Sequence, residues 1–104
     1  MTEVPLPFIE RIVNELHPHE IWLFGSRAKG TARADSDWDM MAVLPDTASD
    51  NDLDLFRLWQ RIPDLRVKGV ELFTITRTEF DRWRRSLGTL SEIVSREGVV
   101  VYAR

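Results

Sequence analysis

Apolar positions along the chain change their period several times, and each change marks an element. Leu6, Ile9, Ile12, Val13 and Leu16 recur at helical spacing, so residues 7–16 are expected to form an amphipathic helix. His17-Pro18 ends it, because a proline pushes the preceding residue out of helical geometry. Residues 20–24 read as a strand. Ile21 and Leu23 point one way, Trp22 and Phe24 the other, and both faces are apolar, which predicts a central strand covered on both sides. Gly25 breaks this strand, Ser26 is placed to cap a short helix through Ala28 and Lys29, and Gly30 marks its end.

The polar stretch 31–36 is loop-like, and 37–44 reads as a second strand closed by Pro45-Asp46. The acidic stretch 49–54 opens a helix with an apolar stripe of Leu55, Leu58, Trp59 and Ile62, which Pro63-Asp64 stops. A third strand is expected over 66–75. Thr76-Arg77-Thr78-Glu79 has the form of a capping box and opens a helix with Phe80, Trp83 and Leu87 on one face. Gly88 breaks it, 91–96 forms a further helical turn, and 99–102 is a short final strand or tail. The order αβαβαβα with a terminal β predicts a small α/β or α+β fold with a mixed sheet flanked by helices.

With 104 residues, 43% of them hydrophobic, the chain is expected to form one domain over 1–104 around a modest core. Five Phe, four Trp and one Tyr supply much of its burial. A net charge of −3 argues against a general nucleic-acid binder but permits a small basic nucleotide pocket. The absence of cysteine excludes disulfides, thiolate catalysis and zinc-thiolate sites. No apolar run is long enough to span a membrane, and the N-terminus lacks the pattern of a signal peptide, so a cytoplasmic protein is expected.

Asp37 and Asp39 on a strand share a face roughly 6.5–7 Å apart. Two carboxylates so placed repel unless a cation sits between them, and Mg2+ takes oxygen ligands while keeping water and phosphate oxygens. The alternative is an exposed acidic strand edge. Phe24-Gly25-Ser26 adds a buried strand end, a residue without Cβ and a helix start whose N–H groups attract phosphate. Lys29 is a candidate for balancing phosphate charge. Arg27 reads as a solvated helix position, Trp38 as core, and His17 and His19 as turn residues. Arg82, Arg84 and Arg85 around Trp83 read as a solvated basic face.

The two features occur together in Gly25-Ser26-Arg27-Ala28-Lys29-Gly30-Thr31-Ala32-Arg33-Ala34-Asp35-Ser36-Asp37-Trp38-Asp39. This stretch resembles the signature of the DNA polymerase β-like nucleotidyltransferases: Gly-Ser at a helix start, then Asp-x-Asp on the next strand. Its details look like the minimal nucleotidyltransferase (MNT) branch, with Lys29 where Arg is usual. The ending Glu97-Gly98-Val99-Val100-Val101-Tyr102 also suits that branch. The resemblance implies a third carboxylate on a nearby strand. Glu71 is the candidate, one methylene longer than the family's usual Asp. Its other reading is a rim residue paired with Arg66 or Lys68.

The resemblance implies transfer of a nucleoside monophosphate, AMP from ATP or another nucleoside triphosphate, to a hydroxyl, with pyrophosphate leaving. Gly25, Ser26 and Lys29 would bind nucleotide. Asp37, Asp39 and Glu71 would hold two Mg2+ ions and carry the catalysis. The chain leaves no residues for an acceptor module, so the acceptor is expected on another chain. In the MNT branch that is often a helical HEPN protein, the two forming a toxin–antitoxin pair. A noncatalytic antitoxin that neutralises by contact and a small-molecule nucleotidyltransferase are the other readings.

Overall fold

In the computed structural model, which describes residues 3–104, the first apolar stripe becomes helix α1 (Leu6–Leu16), with Ile12 and Leu16 buried. His17 closes it in the left-handed region (φ 48°), its N–H donating to the Val13 carbonyl. Strand β1 (Glu20–Phe24) leads through Gly25 into the short helix α2 (Ser26–Lys29). The cap position falls on Gly25 rather than Ser26, and no side chain caps the helix. Its φ of 74° favours glycine at that junction. Strand β2 (Trp38–Leu44) starts one residue later than expected, leaving Asp37 just outside it.

The single helix expected after residue 49 is three helices: α3 (Asp50–Leu53), α4 (Leu55–Arg61) and α5 (Pro63–Val67). Asp54 breaks the run by turning extended, and its carboxylate caps α4 by accepting from the Arg57 N–H at 3.1 Å. Pro63, read as a stop, starts α5, because a missing N–H is harmless in a first turn. Residues 66 and 67 are therefore helical, and strand β3 (Val70–Thr76) begins only after Gly69 turns the chain at φ 85°.

The capping box at Thr76 forms as expected: its hydroxyl accepts from the Glu79 N–H at 3.3 Å and opens α6 (Arg77–Trp83). This helix stops earlier than its apolar spacing suggests. Phe80 is fully buried, but Trp83 is half exposed and Leu87 lies beyond the helix, 88% exposed. A second such box, Thr89 accepting from the Glu92 N–H, opens α7 (Leu90–Glu97), and β4 (Val99–Ala103) follows.

The four strands lie in the order β3-β2-β1-β4. β1 is antiparallel to β2 and β4, while β2 and β3 are parallel, which gives the mixed sheet expected. Parallel neighbours need a crossover, and α3 to α5 supply it. On one face Ile21, Leu23, Met40, Ala42, Leu44 and Leu72 pack with α1, α4 and α5 through Ile12, Leu16, Leu58, Ile62 and Leu65. On the other, Trp22, Phe24, Met41 and Val43 pack with Phe80 of α6 and Val94 of α7. Each of the larger aliphatic and Phe side chains among them contributes about 1.5–3 kcal/mol by leaving water. The apolar two-sidedness of β1 is thus the mark of its central place.

An ion-pair network ties α1 to the crossover. Glu15 meets Arg11 at 2.6 Å and Arg61 at 2.7 Å, Arg61 meets Asp52 at 2.7 Å, and Arg11 meets Asp64 at 3.1 Å. Its members are partly shielded from solvent.

Candidate active site

Strand direction decides which residues meet. Because β1 runs against β2 and β2 runs with β3, the end of β1 meets the starts of the other two. The register places Phe24 opposite Asp39, and Asp39 opposite Glu71. Side chains alternate across a strand, so Asp39 shares its face with Met41 and Val43, and Glu71 shares the same face with Phe73. Behind them Phe24 and Phe73 pack with ring centroids 6.0 Å apart.

Gly25 sits directly against Asp39. A Cβ there would lie 2.3 Å from an Asp39 Oδ atom. The Gly25 φ of 74° favours glycine there, and any Cβ would also push the Asp39 carboxylate aside. The first N–H groups of α2, which have no partner inside a helix, begin at this same point.

The carboxylates crowd one another. Burial first, then the Glu71 charge and a hydrogen bond with Glu71, then the Asp37 charge, push the Asp39 carboxyl up to about 6. Glu71 is exposed and faces Asp39. Among the described residues it forms no ion pair with Arg66 or Lys68; Arg66 instead stacks on Trp59 at 4.3 Å. Crowded oxygen donors of like charge suit a hard divalent cation. Among the described residues no group of three or more such side chains is placed to hold a metal ion. Mg2+ commonly takes one or two carboxylates and completes its shell with phosphate oxygens and water, so the donor set fits it.

The basic residues of the motif behave differently from one another. Lys29 turns away to α7, its ammonium 2.9 Å from Glu97 and half exposed. Arg27 lies over the Trp38 indole, its guanidinium carbon 3.9 Å from the ring centroid, and donates to the Ser36 and Ala34 carbonyls. Trp38 packs on the opposite face of the sheet from the carboxylates, edge-on to Phe8 at 6.1 Å, as its core reading required. Ser36 serves the turn before β2, its hydroxyl accepting from the Arg33 N–H at 2.8 Å. The engagement of Arg27 was not legible, since its acceptors are backbone carbonyls that leave no residue pattern.

A strand, a glycine turn and a short helix facing two strand starts rich in carboxylates define the nucleotidyltransferase arrangement. The family model of the nucleotidyltransferase domain matches residues 7–99, and the chain belongs to that family. Solved structures agree in fold. A provisionally assigned nucleotidyltransferase from Sulfolobus solfataricus is 20% identical, with a TM-score of 0.62 over 94% of this chain and 76% of its own. A toxin–antitoxin structure determined with AMP-PNP is 22% identical, with a TM-score of 0.61 over 97% of this chain and 75% of its own. A mutant of the toxin–antitoxin pair MntA-HpeT is 19% identical, with the same TM-score and coverage. No curated protein matches the chain. Among the described residues no helix is long and apolar enough to cross a membrane.

Proposed function

We propose that the chain is a Mg2+-dependent nucleotidyltransferase that moves AMP from ATP to a hydroxyl of a helical HEPN-type protein, and that it acts as the antitoxin of that pair. The observation that carries the chemistry is Gly25 held against Asp39, with Glu71 in register beside it. That contact sets a phosphate-binding turn next to a carboxylate cluster. The fold likeness to two toxin–antitoxin structures supports the partner.

In this reading the Gly25–Ser26 turn receives the terminal phosphates, with Lys29 at the far end of the same helix. Asp37 and Asp39 would hold Mg2+, with Glu71 beside them, and the bound ion would neutralise triphosphate charge and lower the cost of charge on the attacking and leaving oxygens. Glu71, exposed and longer than Asp, takes the proton of the acceptor hydroxyl. The oxygen–phosphorus bond to the acceptor forms, the bond to pyrophosphate breaks, and AMP remains on the partner. Holding the reactants in line supplies much of the rate.

The test is transfer of label from α-labelled ATP to the co-expressed helical partner. Label on the partner, lost in Asp37→Asn and Asp39→Asn, is the expected result. If the partner is neutralised but unlabelled, contact replaces transfer as the mode of action, a reading that the Glu at position 71 would then favour.

A further inference from the structure

Arg27 stands in the short helix α2 that follows the Gly25 turn, one residue after Ser26. Its guanidinium points to the segment before β2. Nε donates to the Ser36 carbonyl at 3.1 Å, and Nη2 donates to Ser36 at 2.7 Å and to Ala34 at 3.1 Å. Those carbonyls belong to the last residues before Asp37. The carbon of the same group lies over the indole of Trp38, the residue between the two aspartates, 3.9 Å from the ring centroid. Trp38 is held further by its backbone N–H donating to the Gly69 carbonyl at 2.8 Å, two residues before Glu71.

We infer that Arg27 is a positioning residue that sets the spacing between the phosphate turn and the Asp37–Asp39 pair. The inference rests on the nucleotidyltransferase reading of the same site. Between α2 and β2 the chain runs through residues 30–37, most of them exposed and without regular structure. Such a stretch constrains distance weakly by itself. One planar group bonded to two of its carbonyls and stacked on the strand start replaces that slack with a fixed span. An arginine suits the task because its fork offers several donors in one plane and stacks on an aromatic face. Lysine, a point charge on a flexible stem, supplies neither.

The experiment compares Arg27→Ala, Arg27→Lys and Trp38→Phe in the full chain. It uses two readouts, transfer kinetics and Mn2+ affinity measured with ATP present. Misplacement of reacting groups by an ångström costs about 10²-fold in rate. Arg27→Ala is expected to lower kcat by about that factor, with the KM for ATP changed little, and to weaken Mn2+ binding. Arg27→Lys is expected to fail in the same way, and Trp38→Phe, which keeps an aromatic face, to fall between. Hydrogen exchange should rise over residues 31–39 in Arg27→Ala while β1 stays protected.

Full rescue by lysine, or a rise in KM with kcat intact, would make Arg27 a phosphate ligand and overturn the inference. A loss of activity that merely tracks the unfolded fraction, with Mn2+ affinity of the folded protein unchanged, would overturn it also. If the wild-type chain transfers no label, the nucleotidyltransferase reading fails on its own. Mn2+ affinity and hydrogen exchange still report on the clamp, and unchanged values there would sink it separately.

Discussion

Asp39→Asn should make the protein more stable at neutral pH while removing its chemistry. Asparagine keeps the size of the side chain but cannot ionise. In the native wild type, burial and the neighbouring carboxylates raise Asp39 from 3.8 to about 6. That rise of about two pH units corresponds to ~3 kcal/mol at ~1.4 kcal/mol each. Asp39 is partly open to solvent, and screening reduces the figure to about 1–2 kcal/mol. The sign follows from where the proton sits. Above pH 6 the carboxyl is ionised in both states and the native state alone bears the crowding. As pH falls from 6 towards 4 the native protein takes up the proton first, and the cost disappears.

The gain from asparagine should therefore be full near pH 8 and absent near pH 4. Urea unfolding of both proteins at about pH 8 and about pH 4.5 measures it as a difference in midpoint. Equal midpoints at alkaline pH would refute the crowding argument. An undiminished advantage at acid pH would refute its electrostatic origin.

Further outcomes follow from the same structure. Gly25→Ala should cost about 1–3 kcal/mol for its left-handed φ and displace Asp39, so transfer should be lost even where the fold survives, as unfolding and labelling assays run together would show. ATP with Mg2+ should raise the melting temperature more than ATP alone, because the carboxylates repel a bare triphosphate; equal shifts would remove the cation from the site. Arg11 first, and then Arg61, hold the Glu15 carboxyl below its ordinary range, so this pairing stabilises above the unfolded value and is lost as the pH falls through the lower, folded one. Glu15→Gln should accordingly cost up to about 1 kcal/mol at pH 7 and progressively less in acid, read from urea midpoints across that range.

Much of the site could be read from residue order because it is punctuated locally. A doubly apolar strand, a glycine and a serine, then two aspartates at strand spacing, mark Gly25 to Asp39 without reference to any distant residue. Glu71 was identifiable as a candidate, but its two readings differ only in what faces it. The parallel register with β2 shows Asp39 there, and no local pattern encodes that register. Errors arose where one residue type serves two purposes. Pro63 ends helices and also begins them, so the third strand was started too early. Leu87 continued a helical period that the chain abandons at Trp83, because no buried surface remained to receive it. Lys29 and Glu97 are joined only by the tertiary fold.

The parallel pairing of β2 with β3 also divides the site by the cooperativity of its parts. Gly25 and Asp39 are joined by neighbouring antiparallel strands and the short connection between them. Glu71 stands on the edge strand β3, which pairs with β2 alone and is joined to it in the chain by the crossover of α3 to α5, itself pinned to α1 by the Glu15–Arg61 pair. A sub-global opening that frees the crossover can therefore withdraw Glu71 while the phosphate turn and the aspartates persist. Native-state exchange would show it as β3 amides opening at lower free energy than those shared by β1 and β2. Glu71 would then come and go with the crossover, the least permanent of the three carboxylates.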